Sequence, residues 1–248
     1  MNPKRGPFEM PCTLPSIADD NQQQARNVNR FLREIPYSDR ITYFDQINHI
    51  IHLATQKKNS PVITVVKANW GAGKTALGNI IADELREKGV KVRGPVRLIE
   101  LLEKEGTIDA EDGEVLIIDE VEEIADNRYM NDTDKRREII DPFVDSFKQL
   151  TGKNVNSLVV MLATPSGYEK VFGPGGIITN YISETYPAIK RRIDNLNLDD
   201  PTKLEYLALI VGTARLAGAN ESLVPYLDFL YYTAMPKTRA NIALIVRD

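Results

Sequence analysis

The stretch VITVVKANWGAGKTALGNIIADELREKGV (62–90) decides how the rest of the chain is read. It opens on VITVV (62–66), a β-branched apolar run of the kind a parallel strand shows when both of its faces are covered. It closes on a helical pattern from about 74 to 88 that Gly89 stops. Between the two, ANWGAGKT (68–75) follows the spacing glycine, four residues, Gly-Lys-Ser/Thr, with Gly73, Lys74 and Thr75 in place and Ala68 standing where the first glycine is usual. Small residues are needed there because successive backbone N–H groups must turn inward around phosphate oxygens, and bulky side chains would obstruct that nest. Asn69, Trp70, Gly71, Ala72, Gly73, Lys74, Thr75 and Ala76 are therefore the expected phosphate-contacting run. Lys74 would neutralise the β- and γ-phosphates, and Thr75 would offer its hydroxyl to Mg2+. The helix that begins at Lys74 adds the partial positive charge of its N-terminus.

Working outward, strands and helices alternate. DRITYFDQINHIIHLATQK (39–57) carries apolar residues near helical spacing. After the glycine loop and its helix come VKVRGPV (90–96) as a strand and RLIELLEKEG (97–106) as a short helix with a glycine stop. EVLIIDE (114–120) is the strongest strand signal in the chain, REIIDPFVDSFKQLTG (137–152) reads as a helix, and SLVVMLAT (157–164) as another buried strand. AIKRR ends a further helix, and IDNLNL (193–198) alternates like a last strand. Such alternation over about 140 residues predicts an α/β fold, a parallel sheet with helices on both faces. From about 199 to 248 the pattern is all helical and predicts a small second domain. Residues 1–34, with four prolines and a DDNQQQ tract, read as an extended arm, leaving 35–198 for the α/β domain and its leading helix.

The end of the strand 114–120 carries the second chemical signal. Four apolar residues, VLII, run into Asp119-Glu120, 45 residues after Lys74. An acid at the tip of a strand neighbouring a phosphate loop holds Mg2+ or its water, and Asp119 is the metal-ligand candidate with Thr75. A second acid beside it takes a proton from, or orients, the attacking water, which is the role expected of Glu120. The competing reading is a strand running into an acidic surface loop, since residues 100–126 hold twelve acids and a single lysine. The order of elements favours the site. A further strand, SLVVMLAT, ends on Thr164. In ATP-driven machines of the additional-strand P-loop group, which this order resembles, a polar residue there senses the γ-phosphate. The plain reading is a threonine that ends a strand.

With these three elements in sequence the chain resembles the AAA+ ATPases, in plan most like the origin-recognition and DnaA-like members and their stand-alone relatives on mobile elements. The likeness runs over about 35–248. It implies a P-loop protein of the additional-strand group followed by a helical lid, with ATP/ADP and Mg2+ as cofactors. The segment KRRIDNLNLDDP (190–201) is similar to the helix, arginine pair and strand that precede the lid in that family, where an arginine reaches the neighbouring subunit's nucleotide. Arg192 is the first candidate for that finger and Arg191 the second. A cationic helix end favoured by the helix dipole reads the same way. MPKTRANIALI (235–245) resembles the family's last lid helix and places a nucleotide contact on Arg239, with Lys237 nearby. The linker before the first helix lines the adenine pocket in the family, which points to Ile35, Pro36 and Tyr37.

Composition bounds the remaining possibilities. The 248 residues carry 31 Lys+Arg against 35 Asp+Glu, a formal charge of −4, so any nucleic-acid contact must come from a local patch. NRYMNDTDKRRE (127–138) has the composition of such a patch, although a solvated helix start has it too and is the preferred reading. No apolar run approaches the ~18–20 residues of a membrane span, and the opening MNPKRGPFEMPCT has no apolar leader core, so a cytoplasmic protein is expected. Cys12 alone cannot form an internal disulfide, and with His49 and His52 it is a poor metal set. FGPGG (172–176) reads as a flexible turn, and Trp70 as a packing or subunit-contact residue. The expectation is an ATP-hydrolysing switch or motor that assembles with itself into a ring or filament and acts on DNA or a DNA-bound protein. The alternative is a remodelling or regulatory ATPase that acts on a protein partner without touching DNA.

Overall fold

The computed structural model describes residues 41–56, 60–181, 190, 191 and 193–198. The expected arm (1–34), the helical lid (199–248) and the candidates Ile35, Pro36, Tyr37, Arg192, Lys237 and Arg239 lie outside the described residues.

Five strands form one sheet: β1 (Val62–Ala68), β2 (Lys91–Arg97), β3 (Glu114–Asp119), β4 (Leu158–Ala163) and β5 (Ile193–Leu198). Every pairing is parallel, and the spatial order is β2-β3-β4-β1-β5. Helix α1 (Ile41–Thr55) precedes β1, and between the strands run α2 (Lys74–Glu87), α3 (Leu98–Glu105), α4 (Asp141–Gly152), α5 (Pro165–Phe172) and α6 (Ile177–Tyr181). A turn of 3-10 helix (Val121–Ala125) follows β3, and a π-helical turn (Arg136–Ile140) leads into α4. The strand predicted at 157–164 lies between β1 and β3 and separates the glycine-loop strand from the acidic strand.

The two faces of the sheet are sorted by strand periodicity. Val66 and Ala68 of β1, Val115 and Ile117 of β3, and Val160 and Leu162 of β4 face α1 and α2, packing on Ile47, Ile50, Leu77, Ile81 and Leu85. Their sequence neighbours Val65, Leu116, Ile118, Val159 and Met161 face α3 to α6. All six residues of β3 and all six of β4 are buried, which is why VLII within β3 and the whole of β4 read as apolar runs. On the second face Phe147 stacks at 5.0 Å from Phe143 and 5.7 Å from Phe172, tying α4 to α5. Truncating one of these rings costs about 3–5 kcal/mol.

Gly78 lets α2 lie close on the sheet, since a Cβ there would stand 2.9 Å from the Leu162 Cδ1. This close seat brings the start of α2, and with it Lys74 and Thr75, down to the strand ends. On the same face α1 is strapped to β5 by Gln46 Nε2, which donates to the Asn197 carbonyl at 2.7 Å, and by His49 Nε2, 2.6 Å from Asp194 Oδ2. The FGPGG turn differs from expectation. Gly173 N–H donates to the Glu169 carbonyl, Gly176 N–H to the Gly173 carbonyl, and the Thr179 hydroxyl to the Gly173 carbonyl at 2.6 Å. A side chain at Gly173 or Gly176 would collide with the backbone at Glu169, so the glycines serve close packing rather than flexibility.

Candidate nucleotide site

Because every strand runs the same way, the ends of β1, β3 and β4 emerge on one edge of the sheet, the edge where open α/β sheets bind ligands. The loop after β1 turns through Gly71 (φ 76°) and Gly73 (φ 90°), conformations glycine adopts without strain. Ala72 N–H donates to the Asn69 carbonyl at 3.1 Å, and Gly73 caps α2. Ala68 replaces the motif's first glycine without strain, being the last, buried residue of β1. The Lys74 ammonium donates to the carbonyls of Ala68 (3.1 Å) and Asn69 (3.4 Å), so the lysine lies back across the loop it would share with a phosphate. Trp70 projects from the loop at 76% exposure, and a packing role within the described residues does not hold. Ala76 lies in the first turn of α2.

Asp119 ends β3 at 6% exposure. One of its oxygens accepts from the Thr75 hydroxyl at 2.6 Å and the other from the Glu120 N–H at 2.9 Å. Burial pushes its carboxyl above the ordinary carboxylate range, and these two hydrogen bonds only partly offset that push. No cation pairs with it among the described residues. A hydroxyl and a buried carboxylate side by side are hard oxygen donors, the set Mg2+ takes when phosphates and water complete its shell. The donor chemistry therefore fits Mg2+, with Thr75 and Asp119 as the residues that would hold it.

Glu120 sits one residue on, in the left-handed region (φ 53°), the one non-glycine residue with positive φ among those described. Its side chain is half exposed and takes the Arg97 Nε at 2.6 Å, while Arg97 Nη2 also bonds Glu123. Arg97 ends β2 directly beside Asp119 in the register of the two strands. Arg97 is a residue that sequence reasoning missed, because the neighbour of β3 cannot be read from order along the chain. Thr164 follows β4 and caps α5, its hydroxyl accepting from Gly167 N–H at 3.0 Å, and its own N–H donates to Glu122 Oε1 at 3.1 Å. Lys74, Thr75, Asp119, Glu120 and Thr164 are thus gathered at one sheet edge.

Residues 64–172 match the model of the ATPase family associated with various cellular activities (AAA). The solved Thermotoga maritima RuvB Holliday junction branch migration motor superposes with a TM-score of 0.51 at 17% identity, covering 88% of this chain and 64% of that one. The replication initiator DnaA bound to AMPPCP and single-stranded DNA gives 0.52 at 13% identity, covering 89% and 63%. The chain has the AAA+ P-loop fold. It spans less than two thirds of the length of these solved chains. None of the curated proteins compared with it matches.

Within this core Arg191 lies elsewhere. Exposed Arg191 precedes β5, whose register with β1 runs from Ile63 opposite Ile193 to Ala68 opposite Leu198. That places Arg191 at the opposite edge, roughly 20 Å from its own glycine loop at about 3.3 Å per residue. Arg191 therefore does not lie beside the glycine loop of its own chain. In the 127–138 patch, Arg128 stacks 4.8 Å from the Tyr129 ring, and Tyr129 is only 7% exposed. That ring is core and not a stacking platform. Residues 131–138 are exposed, and Arg136 lies over the Tyr181 ring at 5.0 Å. Among the described residues no helix is long and apolar enough to cross a membrane.

Proposed function

We propose that the chain binds and hydrolyses ATP with Mg2+, as a switch or motor that works on DNA. The observation that carries the catalytic half is the 2.6 Å contact between the Thr75 hydroxyl and the buried Asp119, which joins the phosphate loop to the acidic strand without a protein cation. The metal, once bound with nucleotide, supplies charge neutralisation of the phosphates. The loop N–H groups and Lys74 hold the β- and γ-phosphates. Glu120, once released from Arg97, accepts the proton of the attacking water, and Thr164 contacts the γ-phosphate from β4. Self-assembly into a ring or filament is part of this reading, and the place of Arg191 away from its own glycine loop supports it.

Action on DNA draws its support from the fold shared with the branch migration motor and the single-stranded-DNA-bound initiator, together with the exposed cations Arg128, Lys135, Arg136 and Arg137. A protein partner is the second reading. Asp126, Asp132, Asp134 and Glu138 are exposed among those cations and leave the patch nearly neutral. Titration of DNA binding against salt separates the two. Phosphate contacts by three or four cations predict a log–log slope of about −3, and a slope near zero rejects them. Steady-state ATPase assays with and without DNA test the enzyme itself. Turnover in the wild type that Lys74→Ala abolishes supports the proposal, and turnover that survives this substitution contradicts it.

A further inference from the structure

We infer that Glu122 is a positioning residue that couples the acidic turn after β3 to Thr164 at the tip of β4. The inference rests on the ATPase reading above and deepens it. Glu122 lies on the 3-10 turn that begins directly after Asp119-Glu120. Its Oε1 accepts the Thr164 N–H at 3.1 Å, bridging 42 residues of sequence. Its Oε2 is buried with no hydrogen-bond partner among the described residues. Gly167, in the first turn of α5, completes the junction. A Cβ there would collide with Glu122 Cβ and stand 2.8 Å from Thr164 Oγ1, so Glu122 and the Thr164 hydroxyl converge on one point that only glycine leaves open.

These contacts fix Thr164 from two sides. Its hydroxyl oxygen is held by Gly167 N–H, and its backbone N–H by Glu122. The hydroxyl hydrogen, the group that would meet a γ-phosphate oxygen, is thereby left to point away from α5. Displacing Thr164 moves Glu122, and with it the turn that carries Glu120 and Glu123 and their shared partner Arg97. Burying a carboxylate oxygen without a donor is disfavoured, so this junction keeps Glu122 at a cost. Glu122 thus acts through Thr164 and the acidic turn, without touching nucleotide.

The test is a double-mutant cycle on the full chain, with ATP turnover and nucleotide affinity read separately. The single tryptophan, Trp70, is exposed in the phosphate loop and gives the affinity by its fluorescence. Glu122→Ala is expected to lower kcat about tenfold while KM stays within about threefold. In a Thr164→Ala background the same substitution is expected to lower kcat by less than about twofold, because the group it positions is already gone. Glu122→Gln keeps the acceptor for Thr164 N–H and is expected to stay within about threefold of wild type. It also serves as the folded control should the alanine variant melt. Unchanged kcat in Glu122→Ala, a full tenfold loss again in the Thr164→Ala background, or a glutamine variant as impaired as the alanine one overturns the inference. A wild type without turnover would overturn the ATPase reading instead. The inference is then decided by the ratio of ATP to ADP affinity, which Glu122→Ala and Thr164→Ala must lower by the same factor, and unequal factors reject it.

Discussion

Strand β3 begins and ends on a buried carboxylate, and the two are treated in opposite ways. At its start Glu114, 3% exposed, lies 3.4 Å from Arg93 Nη2 and 3.8 Å from Lys91, and accepts the Glu111 N–H. Around it Lys91 pairs with Glu111, Arg93 with Glu105, and Lys153 with Asp109, so the buried acid sits within a network of cations. At the other end Asp119 has a hydroxyl and an N–H but no ion pair among the described residues, and Lys74 acts on its charge only from farther off. One end of the strand has met its charge with protein. The other is suited to take its positive charge from a ligand, a difference that supports the proposed site at that edge of the sheet.

Four substitutions probe that contrast. The largest effect is expected at Glu120→Gln, which keeps the size and loses the base. Turnover should fall about 10²–10⁴-fold with ATP affinity retained, and equal rates for wild type and variant would remove Glu120 from the mechanism. Next comes Glu114→Ala at the satisfied end. It removes one of Arg93's two carboxylate partners, leaves Glu105, and should cost about 1–2 kcal/mol in a denaturant melt, with nucleotide affinity unchanged. A loss of affinity there would blur the distinction between the two ends.

Asp119→Asn should behave in the reverse manner. Burial raises the Asp119 carboxyl, so the folded protein holds that proton more tightly than the unfolded chain does. The ionised form therefore weakens the fold at neutral pH, and the loss is recovered as pH falls through the folded value toward the unfolded one. The asparagine variant without nucleotide should be more stable than wild type at pH 7, a gain that shrinks in acid. A destabilised variant would mean that the carboxylate is already satisfied. The smallest effect is expected at Arg97→Ala, which frees Glu120 and should raise basal turnover by less than about tenfold. A fall in turnover would instead place Arg97 among the groups that hold substrate.

Local signals carried much of this picture. The β-branched run before a glycine loop and the four apolar residues before Asp119-Glu120 are legible because a buried parallel strand and a phosphate nest each restrict residue type over a few consecutive positions. What was not legible depends on strand order and side-chain direction. Arg97 lies beside Asp119 only because β2 pairs with β3, and Glu122 reaches Thr164 only because β4 is inserted beside β3. The acid-rich stretch 100–126 reads as one block, yet it divides between the ion network at the start of β3 and the turn after its end. Tyr129 beside Arg128 has the composition of a nucleic-acid contact, and burial of the ring takes it out of that role.

The account turns on Asp119 being the place where a metal-bound nucleotide supplies the missing charge. Calorimetric titration of ATP into wild type and Asp119→Asn, each with and without Mg2+, tests this most directly. The prediction is binding to wild type that Mg2+ strengthens, and binding to the asparagine variant that Mg2+ no longer strengthens. An equal gain from Mg2+ in both proteins, or no binding to wild type, would contradict it.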